Sequence, residues 1–294
     1  MSFTILNLNT TQRKPRTKTV KTVEQHVSQP SPIIEENDDQ IIERLRHRFT
    51  ILDDMTKAVK KGHIRSMIVS GPPGVGKSFG IENILASNKL FDDIKGVDHI
   101  KKYEIIKGTI SPIKLYTKLY EFSDSKSVLV ADDADGLFYD QDCLNLLKGA
   151  LDSSKVRTIS WLTDSKLLKG EGIPNSFEFK GGMIFITNLK FDMVKSDKLR
   201  EHLYALESRS HYIDLTINTQ HEKMLRIKQI VNDGMLDDYQ LDFYTKQMII
   251  NYVDQHKDQL RELSLRTVIK VADLAQSFPT SWQEKANITI LKKR

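Results

Sequence analysis

Ser66-Met67-Ile68-Val69-Ser70-Gly71-Pro72-Pro73-Gly74-Val75-Gly76-Lys77-Ser78 is the stretch whose reading decides the fold. A short apolar run reads as a buried strand, and the segment after it matches G-x-x-x-x-G-K-[ST]. A helical pattern follows from Lys77 to Ala86. The chemistry calls for these residue types. Glycines let backbone N–H groups turn inward around phosphate oxygens, where side chains would block the approach. A helix starting at the loop aims its positive dipole end at the anion. Lys77 offers a point charge to β- and γ-phosphates, and Ser78 offers a hydroxyl to Mg²⁺.

Working outward, four further apolar runs read as strands: 103–107, 127–131, 183–187 and 211–215. Helical patterns lie between them. Ile41, Ile42, Leu45, Phe49, Leu52, Met55 and Val59 recur at three- and four-residue steps before the first strand, and Lys60-Lys61-Gly62 closes that helix. Ser111-Pro112 opens another, with proline in the tolerated first turn. Leu144, Leu146, Leu147 and Leu151 mark a third. Strands alternating with helices predict an α/β fold, a parallel sheet of about five strands with helices on both faces. After Thr219 the pattern turns helical through 224–231, 242–252 and 265–278, and 286–291 fits either a short strand or a helix. The expected organisation is a polar arm over 1–37, a nucleotide-binding core over 38–217 and a helical lid over 218–294.

The run Val128-Leu129-Val130-Ala131-Asp132-Asp133 ends a buried strand in two acids. Such a strand delivers its terminal carboxylate beside the phosphate loop. Asp132 is expected to hold Mg²⁺ through water, since that ion keeps much of its hydration shell. Asp133 is expected to polarise the attacking water, and Asp135 reads as a helix cap.

Composition bounds the function classes. The chain has 294 residues with 39% hydrophobic and 28% charged residues, which excludes a wholly disordered or fibrous chain. No apolar stretch approaches the length of a membrane helix, so no membrane partner is expected. The first residues do not read as a secretory leader. The single cysteine, Cys143, excludes an intrachain disulfide and reads as a buried structural thiol in a reducing, cytoplasmic setting. No histidine pairs with another ligand at zinc spacing. The net charge is +5, and residues 1–23 carry Arg13, Lys14, Arg16, Lys18 and Lys21 with no acid, leaving the body close to balanced. This arm fits a nucleic-acid contact or a solvated tail.

With these motifs in order, the chain resembles the AAA+ ATPases over roughly residues 40–280, and more narrowly those encoded by phages and bacteria. The resemblance implies ATP and Mg²⁺ as cofactors. It makes Phe185-Ile186-Thr187-Asn188 similar to the sensor-1 strand, with Asn188 orienting the water. It makes Leu206-Glu207-Ser208-Arg209 similar to the arginine-finger segment, with Arg209 reaching a neighbour's γ-phosphate and Arg200 as its competitor. Leu263-Ser264-Leu265-Arg266-Thr267 resembles sensor 2, with Arg266 contacting phosphate from the lid. A finger acting in trans implies a ring oligomer, often a hexamer, and the expected location is the cytoplasm of a bacterial or phage-infected cell. Asp132-Asp133 departs from the Asp-Glu usual in the family, which implies slow turnover with nucleotide binding intact.

Residues 153–182 exceed a direct connection. Val156–Leu162 and Ser176–Lys180 alternate like strands, which predicts a hairpin before the sensor-1 strand. Lys166, Lys169 and Lys180 fit a phosphate backbone, Trp161 fits either base stacking or packing of the hairpin, and a flexible Lys-Gly-Glu-Gly tip at 169–172 fits a protein contact. The leading expectation is an ATPase that remodels nucleic acid. A protein-remodelling unfoldase, a nucleotide-gated scaffold and a small-molecule kinase stand behind it.

Overall fold

The computed structural model describes residues 36–86 and 103–293, so nearly all of the polar arm lies outside the described residues. The described residues from Asn37 onward form one compact unit. It opens with α1, Asp38–Lys60, which starts in a capping box: Asn37 accepts from the Gln40 N–H and Gln40 reaches back to the Asn37 N–H. Acids in the first turn and lysines in the last complement the helix dipole. The face that periodicity marks is the one buried, with Leu45, Leu52 and Val59 sealed from solvent.

The strands are β1 (Ser66–Ser70), β2 (Tyr103–Lys107), β3 (Val128–Asp132), β4 (Thr158–Ser160), β5 (Ser176–Glu178), β6 (Gly182–Thr187) and β7 (His211–Asp214). Five of them form a parallel sheet in the order β2-β3-β6-β1-β7. The α/β fold is thus as expected, with α2 (Lys77–Ala86), α3 (Pro112–Glu121), α4 (Gly136–Tyr139), α5 (Gln141–Ala150) and α7 (Asp197–Glu207) among the flanking helices. Successive strand residues point to opposite faces. Met67, Val69, Val128, Val130, Ile184 and Ile186 therefore pack into one core with α1 and α2. Ile68, Leu129, Ala131 and Phe185 pack into the other, with α3 and α5. Two-sided burial explains why the central strands β1, β3 and β6 read as apolar runs, while the edge strands β2 and β7 are only partly buried.

Past the sheet, α8 (Gln220–Ile230), α9 (Phe243–Gln255), α10 (Leu265–Ser277) and α11 (Trp282–Thr289) build a third cluster around Val253, Val268, Val271 and Ala286. The ambiguous end resolves as helix: Trp282 and Ala286 are buried on it, and only Leu291 beyond it forms a bridge, to Leu260. Cys143 is fully buried on α5 and its thiol is pushed up to about 12, chiefly by burial, as a structural thiol requires.

Within 153–182 the two strands pair as a hairpin, and the loop between them carries a short helix. β4 and β5 pair antiparallel over three residues each, and Lys166–Gly170 is a short helix, α6, capped by Ser165, with Leu168 buried. The 169–172 tip is therefore anchored by that helix rather than free. Aromatic packing supplies the reason. Tyr116 on α3 meets Trp161 at 5.9 Å and Phe177 at 5.1 Å between ring centroids. Trp161 packs the hairpin. Lys169 pairs with Asp164 at 2.7 Å and Lys180 with Glu178 at 2.9 Å, so two of the three lysines already have acidic partners.

Candidate nucleotide-binding site

The strand order creates the site. β6 lies between β1, which runs into the glycine loop, and β3, which ends in the two acids. The residue just past β6 is therefore set between loop and acids, and that residue is Asn188. Its Oδ1 accepts from Lys77 Nζ at 2.9 Å, and its Nδ2 donates to Asp133 Oδ1 at 2.9 Å. Lys77, only 6% exposed, also donates to the carbonyls of Gly71 at 2.6 Å and Pro72 at 2.9 Å. Ser78 Oγ donates to Asp132 Oδ1 at 3.0 Å. The structure brings Lys77, Ser78, Asp132, Asp133 and Asn188 together at the carboxyl end of the sheet, as a Lys77–Asn188–Asp133 chain of hydrogen bonds beside a Ser78–Asp132 pair.

Local geometry holds each group. Gly74 and Gly76 have φ of +68° and +99°, conformations that glycine adopts without strain. Gly74 has a second reason to be glycine: a Cβ there would lie 2.6 Å from the Cβ of Ser264. The Leu265 N–H at the start of α10 donates to the Gly74 carbonyl at 2.9 Å, so the carboxy-terminal helices touch the loop directly. Ser264, buried in this contact, caps nothing, and its Oγ has no partner among the described residues. Asp133 takes φ of +50°, a left-handed position that aspartate tolerates, and its N–H donates to the Ile186 carbonyl at 3.0 Å. This bend turns the carboxylate off the strand axis toward Asn188.

Electrostatics agree with the geometry. Burial lowers the Lys77 ammonium to about 8, opposed by Asp133 and Asp132 and reinforced by Arg266. Arg266 is exposed in the first turn of α10, where its charge bears on Lys77. Phosphate binding favours the charged lysine. Nucleotide affinity is thus expected to be flat below pH 7 and to fall as pH rises through 8, about tenfold weaker at pH 9 than at pH 7. Titrating a fluorescent ATP analogue at saturating Mg²⁺ across that range checks it. Ser78 and Asp132 present hard oxygens side by side, a donor set that suits Mg²⁺ with few protein ligands.

Asp135 is not a cap. It sits before α4 without a capping hydrogen bond and accepts from Thr187 Oγ1 at 2.7 Å, its carboxyl raised mainly by burial. Thr187 and Asp135 thus brace β6 against β3, a role the sequence did not signal. Lys107 is another residue missed from sequence, and its Nζ lies 3.6 Å from Asp132 Oδ2.

Arg209 stands elsewhere. It precedes β7, whose His211 is level with Met67 at the amino end of β1, while the loop follows the carboxyl end. At ~3.3 Å per strand residue, Arg209 is roughly 15 Å or more from its own loop, beyond an arginine's reach. It is exposed and donates to its own Ala205 carbonyl at 2.6 Å. Arg200 is held locally by Asp197 and by the Val194 carbonyl, at 3.1 Å from the latter.

The chain is 36% identical over 256 residues to the uncharacterized 36.7 kDa protein of the nrdC–mobD intergenic region of Enterobacteria phage T4, covering 86% of this chain and 76% of that protein. It belongs to the family of that phage protein. No protein-family model matches the chain. Among solved structures, this phage-family chain is similar to the ORC1 protein of Aeropyrum pernix in complex with DNA (TM-score 0.46, 11% identity, 84% of this chain and 63% of that one). It is also similar to a DNA replication initiation factor (TM-score 0.43, 12% identity, 84% and 65%) and to C. elegans PCH-2 (TM-score 0.40, 14% identity, 83% and 63%). It spans slightly less than two thirds of each of these structures. Among the described residues no helix is long and apolar enough to cross a membrane.

Proposed function

We propose that this phage-family chain is an AAA+ ATPase that binds Mg-ATP at residues 71–78 and hydrolyses it within an oligomer to remodel a macromolecule, nucleic acid before protein. The observation that carries the reading is the Lys77–Asn188–Asp133 network beside the Ser78–Asp132 pair. Phosphate oxygens entering the loop replace the Asn188 and carbonyl partners of Lys77. Ser78 and Asp132 would hold Mg²⁺, whose charge, when bound, offsets that on the β- and γ-oxygens. Asp133 accepts a hydrogen bond from the attacking water, and Asn188 fixes the angle of that carboxylate. Arg209, too far from its own loop, supplies charge to the γ-phosphate of a neighbouring copy, which requires an oligomer, with a ring the expected form. Residues 218–294 act as a lid whose Leu265 contact with Gly74 reports the state of the loop. The setting is the cytoplasm of a phage-infected bacterium.

A scaffold that binds ATP and hydrolyses little is favoured by one observation. Asp133, a methylene shorter than glutamate, is held at Oδ1 by Asn188. The test is steady-state ATP hydrolysis per chain across protein concentration, with and without single- and double-stranded DNA, for the wild type and Arg209→Ala. Specific activity is expected to rise with concentration and with DNA. Arg209→Ala is expected to lower it by about 10³-fold with ATP binding kept, and mixing with Lys77→Ala chains is expected to restore part of it. Activity independent of concentration and untouched by Arg209→Ala would remove the trans finger. Indifference to DNA would move the substrate to protein. ATP binding without hydrolysis in every arm would select the scaffold.

A further inference from the structure

β2 and β3 run parallel with Lys107 level with Asp132, and side chains of residues paired in this way project to the same face. Lys107 is the last residue of β2, and its Nζ stands 3.6 Å from Asp132 Oδ2. The other oxygen, Oδ1, accepts from Ser78. Both oxygens of the expected metal-side carboxylate are therefore engaged, one by the hydroxyl expected to share the metal and one by a cation of this chain. The two partners differ in burial: the Asp132 side chain is 7% exposed and that of Lys107 63%. A buried carboxylate with no cation near it is costly, whereas a lysine whose stem lies largely in water leaves at little cost.

We propose that Lys107 is a built-in competitor of Mg²⁺: it neutralises Asp132 before the metal is loaded and must withdraw when Mg-ATP binds. The inference deepens the proposed function and rests on it. Two consequences of opposite sign follow. With Lys107 in place, metal-free ATP meets a neutralised Asp132 and binds without repulsion, while Mg²⁺ must displace an ammonium. Without Lys107, the carboxylate loses its paired ammonium, repels metal-free ATP more and takes up Mg²⁺ more readily. The lysine thus blunts the dependence of nucleotide binding on Mg²⁺, and once displaced it is free to face the phosphates.

The experiment titrates a fluorescent ATP analogue into the full chain, in excess EDTA and then at stepped Mg²⁺ concentrations, for the wild type, Lys107→Met and Lys107→Arg. Lys107→Met keeps the aliphatic stem at an exposed strand end. It is expected to lower the Mg²⁺ midpoint about three- to tenfold and to weaken metal-free binding by a similar factor, while Lys107→Arg stays close to wild type. Mn²⁺ binding, read as loss of the free-ion electron paramagnetic resonance signal, is expected to shift the same way. A structural role would move both affinities in one direction. Coincident wild-type and Lys107→Met curves, or a common loss in both conditions, overturn this proposal alone. Absence of nucleotide binding by the wild type overturns the proposed function and this inference together.

Discussion

Lys77→Ala is expected to weaken ATP binding by at least about 100-fold while the fold persists, because the substitution removes the one buried cation inside the loop. Lys77 donates to Gly71, Pro72 and Asn188, and in the proposed function phosphate oxygens take the place of those acceptors. Hydrogen bonds between charged groups contribute about 1.5–3 kcal/mol each, so losing one or two at the phosphates accounts for the factor. Burial already holds the ammonium at about 8, so it sits poorly solvated and gains from an anion more than a surface lysine would. Isothermal titration with ATP measures the loss, and circular dichroism checks the fold. Unchanged affinity would remove the loop as the nucleotide site.

Asp133→Asn is expected to leave ATP affinity within about threefold and to lower turnover by 10²-fold or more, the usual scale for loss of a general base or water-orienting group. The structure makes this substitution clean. The side chain at 133 accepts from Asn188 Nδ2 through Oδ1, and an amide oxygen accepts the same bond at the same length. Position, backbone bend and the Asn188 bridge survive, and only the negative charge and one acceptor are lost. Single-turnover hydrolysis separates this from a binding defect. Undiminished turnover would assign the water to another group, with the half-buried Asp135 a candidate on the same segment.

The two expected effects depend on elements of different legibility. The glycine loop, its strand and its helix are contiguous in sequence, and each was readable from residue type and spacing. β1 and β3 lie within a residue of the expected bounds for the same reason: strands buried on both faces are near-continuous apolar runs. The Asp133–Asn188 bond joins residues 55 apart, and only the placement of β6 between β1 and β3 brings them together. Asn188 could be anticipated through family resemblance, but its bond to Lys77 could not. Lys107 carried a faint signal, a lysine ending one strand as Asp132 ends another, which acquires meaning only once β2 and β3 are neighbours. The hairpin lysines read as a basic surface in sequence, and only folding pairs Lys169 with Asp164 and Lys180 with Glu178.

By itself the sequence determined the phosphate loop, the acids at the end of an apolar strand, the α/β alternation and the helical carboxy-terminal segment. Backbone preferences and hydrophobic periodicity act over a few residues and leave their mark on composition and spacing. Tertiary structure alone decided the strand order, the packing of Trp161 on Tyr116, the seating of Leu265 on Gly74 and the meeting of Lys107 with Asp132. These are contacts between segments distant in the chain. Their free energy comes from burial and hydrogen bonding across elements, so no single stretch of residues carries the information that fixes them.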